Sequence, residues 1–177
     1  MSFFRKLFQK TDFLDRTDTN HPTQKEIADA GDFFPPLKGR IVPLSDVPDP
    51  VFAEKMMGDG FAIVPESNLV RSPVDGVVTY VFPTHHAISL RADDGHDLLI
   101  HVGLETVSLK GFGFTKLVKD GDRVKRGDRL LHVDFDKISG HIPSTITSVI
   151  FTNLKDNEVV VIDRGRVTLQ QISADEK

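Results

Sequence analysis

Residues 76–103 read GVVTYVFPTHHAISLRADDGHDLLIHVG, and this stretch decides the fold. It contains three short apolar runs, Gly76–Phe82, Ala87–Ala92 and Asp97–Val102, each of strand length and rich in Val, Ile and Leu. Asp93, Asp94 and Gly95 separate the last two. Asp bonds its own backbone and Gly tolerates positive φ, so these residues predict a tight reversal and two antiparallel neighbours. Further runs of the same texture lie on both sides: Gly39–Leu44, Phe61–Val64, Arg129–Phe135, Thr145–Thr152, Val159–Asp163 and Arg166–Ile172. SPVDGVV (72–78) and DGDRVKRGDRLL (120–131) add Asp-Gly and Gly-Asp turns beside Val-rich strands. Many short strands with regular turn signals predict an all-β antiparallel sandwich or barrel. One segment reads as helical. Asp49 can cap it, Pro50 suits its first position, Val51–Met57 continue it and Gly58 ends it, giving a decoration on the β core.

The 177 residues suffice for one domain with a real core and an appendage. Apolar residues make up 39% and charged residues 27%, which argues against disorder throughout. The net charge of −4 argues against a nucleic-acid partner, because phosphate backbones select basic surfaces. With no cysteine, a disulfide framework, a thiolate zinc site and a cysteine nucleophile are all excluded. No apolar run reaches the roughly 18 to 20 residues that span a bilayer, and Arg5, Lys6 and Lys10 interrupt the N-terminus, so a cytoplasmic location is expected. Residues 1–10 nevertheless carry an amphipathic stripe, Phe3, Phe4, Leu7 and Phe8, with the basic residues on the other faces. So short a helix needs a surface to fold on. An anionic membrane supplies apolar boundary and counter-charge together; docking on its own domain or on a partner is the alternative. Residues 11–31 are polar and read as a flexible linker. The expected organisation is a tail and linker over 1–31 and a β domain over 32–177.

Without cysteine, the seven histidines are the first candidates for covalent chemistry. Imidazole is neutral near pH 7 and nucleophilic, which suits a phosphoryl carrier, and the transferred group then needs donors around its oxygens. His86 is expected to open the strand that runs to Leu90 and His101 to end the strand from Asp97, with the Asp93–Gly95 turn between them, and two histidines on adjacent strands can divide the tasks of attack and donation. In LLIHVGL, His101 is a lone polar group among apolar neighbours. Such a group is either satisfied by a core partner or used for chemistry. A zinc pair is a third reading. His85 should point to the opposite sheet face, because strand side chains alternate.

The runs PDPVFAEKMMGDGFAI (48–63), SPVDGVV (72–78), THHAISL (84–90), LLIHVGLETVSLKGFGF (98–114) and VKRGDRLLHVDFD (124–136) resemble, in order and spacing, the glucose-type IIA family of the bacterial phosphoenolpyruvate-dependent sugar phosphotransferase system. The resemblance implies an antiparallel β-sandwich, a barrel-sandwich hybrid, over 32–177. It implies phosphorylation of His101 on Nε2, His86 as a second active-site histidine donating to the phosphoryl group, and Thr84 orienting an imidazole by hydrogen bonding. Phe52, Phe82, Leu99 and Val107 are candidates for an apolar rim that admits a partner's phosphohistidine and excludes water. Core packing is the plainer alternative, above all for Val107. Asp49 matches a position near the site, where it meets a basic partner or serves only as helix cap.

The implied reaction takes a phosphoryl group from HPr and delivers it to a IIB domain of a IIB/IIC permease. No cofactor is required. The family also implies regulatory partners such as glycerol kinase, sugar permeases and adenylyl cyclase, with zinc bridging His86 and His101 only when a partner supplies a carboxylate. A purely regulatory binding protein switched by phosphorylation is the alternative function. Glu105, Leu99, Tyr80 and Lys155 depart from residues common in the family and alter the partner-facing surface. A lipoyl or biotin carrier, suggested by Asp136-Lys137, leaves the histidines unexplained, and a zinc peptidase lacks a third ligand.

Overall fold

The computed structural model describes residues 21–173. The amphipathic stretch 1–10, and with it the expected membrane contact, lies outside the described residues.

In chain order the elements are α1 (Gln24–Asp29), β1 (Gly39–Pro43), α2 (Pro50–Ala53), β2 (Asp59–Pro65), β3 (Leu69–Arg71), β4 (Gly76–Val81), β5 (Ala87–Ala92), β6 (Asp97–His101), β7 (Phe114–Lys116), β8 (Arg123–Val124), β9 (Arg129–Val133), α3 (Phe135–Ile138), β10 (Thr147–Phe151), β11 (Glu158–Asp163) and β12 (Arg166–Gln171). All strand pairs in the sheets are antiparallel. A seven-stranded sheet runs β1-β2-β10-β6-β5-β4-β8, a three-stranded sheet runs β3-β9-β7, and β11-β12 form a hairpin. No described helix is long and apolar enough to cross a membrane.

Strand alternation explains why the large sheet reads as nearly continuous apolar sequence: both of its faces are covered. One face carries Phe61, Ile63, Ile88, Leu90, Leu98, Ile100, Val149 and Phe151 into the main core, where they meet Val70, Phe114, Leu131 and Val133 of the smaller sheet. The other face carries Ala62, Ala87, Leu99 and Ile150 into a second, smaller cluster with Val47, Phe52, Leu104 and Ile146. Each fully buried Leu or Ile contributes about 1.5–3 kcal/mol, so the first cluster dominates stability and the second holds a surface in place. His101 follows Leu99 by two residues and therefore faces the second cluster. That is why it stands alone among apolar neighbours in sequence.

Several expectations shift. Three short strands, β3, β7 and β8, were not among the expected runs. The expected helix over 51–57 is a single turn, because Lys55 adopts a left-handed φ of 56° and turns follow it. Asp49 caps it as expected, accepting from Val51 N at 2.8 Å. Within the segment read as linker, Thr23 and Glu26 form a reciprocal capping box that starts α1. His86 does not open β5, which begins at Ala87. Phe82 to His85 make a tight turn, closed by His85 N–H donating to Phe82 O at 2.7 Å. His85 has φ of 56° there, so alternation does not govern its direction.

Candidate active site

The hairpin joining β5 and β6 brings the two candidate histidines together. Ala87 pairs with His101 across the ladder, and Val102 N–H donates to His86 O at 2.9 Å, which continues the pairing past the strand end. The two imidazole rings consequently lie 5.1 Å apart between centroids, nearly perpendicular at 79°.

Each ring has one nitrogen engaged. His101 Nδ1 lies 2.9 Å from Gly103 O, and since a carbonyl only accepts, Nδ1 carries the proton and Nε2 of the neutral ring keeps a lone pair. The turn bearing that carbonyl is tightly specified. Gly103 has φ of +69°, and a Cβ there would meet Thr106 Cγ2 at 2.7 Å. Thr106, fully buried, donates its hydroxyl to Val102 O at 2.7 Å and straps the turn down. His86 Nδ1 lies 2.5 Å from Thr84 Oγ1. When the hydroxyl donates there, His86 carries its proton on Nε2.

Both rings favour the neutral form. Burial, reinforced by the nearby His101, pushes His86 down to about 4. Burial also lowers His101, opposed by its bond to Gly103 and by the negative charge of Asp49. Neutral imidazoles at pH 7 follow, His101 with a free Nε2 lone pair and His86, when the Thr84 hydroxyl donates to it, with a free Nε2–H.

The apolar surroundings divide by depth. Phe52 packs 5.2 Å from the His101 ring and Phe82 lies 5.5 Å from His86, with Tyr80 edge-on to Phe82 at 4.9 Å. Phe52 and Leu99 belong to the second cluster and are only 5% and 6% exposed, so they floor the hollow. Phe82 is half-buried. Val107 is 57% exposed, which overturns core packing as its explanation. Phe112, Tyr80 and Met56 are likewise exposed large apolar side chains. Asp49 both caps α2 and acts electrostatically on His101.

Among the described residues no group of three or more His, Asp and Glu is placed to hold a metal ion. The His86–His101 pair would leave tetrahedral zinc two ligands short. Three of the five other histidines have partners elsewhere: His21 bonds Asp128, His96 lies between Asp94 and Glu158, and His141 packs edge-on to Phe112. A cavity of about 1040 Å³ lies beside α1 and β1 and shares no residue with the histidine hollow. The histidine hollow, not this cavity, carries the unusual pair of rings. Sequence reasoning missed Gly103 and Thr106. A backbone carbonyl leaves no residue signature, although the glycine two positions after His101 hints at a special turn.

Residues 31–157 match the profile of a family described as phosphoenolpyruvate-dependent sugar phosphotransferase system, EIIA 1. The "PTS system glucose-specific EIICBA component" of Staphylococcus carnosus is 50% identical over 153 residues, covering 85% of this chain but 23% of that protein. The chain therefore spans about a quarter of the length of such relatives. The "PTS system glucose-specific EIIA component" of Halalkalibacterium halodurans is 43% identical over 167 residues, covering 93% of this chain and 90% of that one. Among solved structures, glucose permease IIA from Mycoplasma capricolum superimposes with a TM-score of 0.68 at 38% identity, over 76% of this chain and 90% of that one. Matched in profile, sequence and fold, the chain belongs to the EIIA 1 family of the phosphoenolpyruvate-dependent sugar phosphotransferase system, whose members are phosphotransferases serving as phosphocarriers.

Proposed function

We propose that His101 is the residue that carries the phosphoryl group, receiving it from phosphorylated HPr and passing it to a cysteine on a IIB domain of a glucose-type permease. The observation that carries this reading is the opposite use of the two rings. His101 keeps Nδ1–H on Gly103 O and presents the Nε2 lone pair. His86, when it accepts from the Thr84 hydroxyl at Nδ1, has Nε2–H to offer.

In the transfer, the His101 Nε2 lone pair forms a bond to phosphorus in line with the breaking N–P bond of the incoming phosphohistidine. The departing imidazole keeps the electron pair of that bond. His86 donates to a peripheral oxygen, and the Gly103 carbonyl steadies the positive charge gained by the His101 ring. The exposed Val107, Phe112 and Tyr80 give a partner's apolar surface something to cover, and Phe52 and Leu99 keep water from beneath. A relative named as an EIICBA component supports a IIB/IIC permease as recipient.

The test is incubation with enzyme I, HPr and phosphoenolpyruvate, followed by mapping of acid-labile phosphate by mass spectrometry. Phosphate is expected on His101 and none on His101→Gln. Label retained by that variant refutes the assignment.

A further inference from the structure

Strand pairing sets one more polar group against the proposed nucleophile. Ser148 in β10 lies directly across from His101. Directly opposed residues in an antiparallel pair project from the same sheet face with Cβ atoms about 5 Å apart. On its other side Ser148 faces Ala62, and beyond His101 lies Ala87. Small side chains thus flank the pair on both sides.

Ser148 is 1% exposed, and among the described residues its Oγ is the one buried side-chain oxygen without a hydrogen-bond partner. The other unsatisfied atom, His96 Nδ1, still has Asp94 Oδ1 at 2.9 Å. A buried hydroxyl with no partner destabilises a fold by about 1–3 kcal/mol, and alanine would serve packing alone, as it does next door at Ala62 and Ala87. With under 1 Å² of surface, Oγ is closed to bulk water, and the side chain set directly across the ladder from it is His101.

Building on the assignment of His101 as the phosphorylated residue, we propose that Ser148 is a second donor to the phosphoryl group, beside His86. A phosphoryl group on Nε2 brings three acceptor oxygens to this face. His86 Nε2–H serves one, and Ser148 Oγ–H serves another. The hydroxyl keeps its proton, and no bond is made or broken at Ser148. Its hydrogen bond exists only in the loaded state, so Ser148 biases the carrier toward holding the group.

The experiment compares wild type and Ser148→Ala at phosphoryl-exchange equilibrium with HPr, after enzyme I and phosphoenolpyruvate have been removed, with loaded fractions read by intact mass. Thermal unfolding of the unloaded proteins runs alongside. Loss of one such bond should move the equilibrium toward HPr by about 3- to 10-fold, while unloaded Ser148→Ala melts at or above the wild-type temperature. An unchanged equilibrium, with wild type loaded on His101, overturns the role of Ser148 alone. A lower melting temperature for the unloaded variant also overturns it, because the hydroxyl then already has a structural partner. If wild type takes no phosphate on His101, both this inference and the assignment beneath it fall.

Discussion

Acidification should weaken the fold through His86, and the effect can be isolated. An unfolded histidine titrates near 6.5, whereas burial and the His101 ring hold His86 at about 4 in the folded chain. Between those values the unfolded state binds the extra proton, so stability is fully present above pH 6.5 and is lost as pH falls toward 4. At 1.36 kcal/mol per pH unit this interval corresponds to about 3 kcal/mol, and screening by water at the mouth of the hollow reduces it to ~2 kcal/mol. His101, lowered by the same cause, shifts stability in the same direction. His86→Gln removes the titration while keeping a polar side chain of similar length. Urea unfolding of both proteins at intervals from pH 7.5 to 4.5 gives the assay. The stability difference, wild type minus variant, should shrink by ~2 kcal/mol across that range, equivalent to about 1 M in midpoint at an ordinary urea slope. A constant difference across the range refutes the claim that His86 is held neutral by burial.

Two further perturbations test the orientation of the rings. Thr84→Val removes the oxygen that fixes His86 Nδ1, and should slow onward transfer by about 10- to 100-fold in rapid-quench experiments with little change in melting temperature. Gly103→Ala forces an L-residue into φ of +69° and a Cβ to 2.7 Å from Thr106 Cγ2, so unfolding should show a loss of about 2–4 kcal/mol, and ¹⁵N NMR should show His101 no longer confined to its Nδ1–H tautomer.

The strand content was legible because the turns were. Asp93-Asp94-Gly95 placed the β5–β6 hairpin, and the apolar run Ala87–Ala92 is β5, with His86 just before it. The strands that escaped notice are short, and Leu69–Arg71 and Arg123–Val124 are two or three residues with no room for a period. The capping box that starts α1 was visible as Thr23-x-x-Glu26, but the polar composition around it outweighed four residues of signal. At the site, the two histidines could be paired from sequence because one turn joins them. Their ring nitrogens could not be assigned, since Gly103 O is backbone and Thr84 needs a turn geometry that begins only when β5 starts one residue later than expected. Ser148 was out of reach for a different reason. It approaches His101 from 47 positions down the chain, through a ladder register that only tertiary pairing fixes.

The hollow is built on β5, β6 and β10, strands with neighbours on both sides in the seven-stranded sheet. Backbone bonds on either flank hold the spacing of the two imidazoles, so this surface behaves as an anvil. On the proposed transfer, the adjustment that brings phosphorus into line then falls to the visiting protein more than to this face.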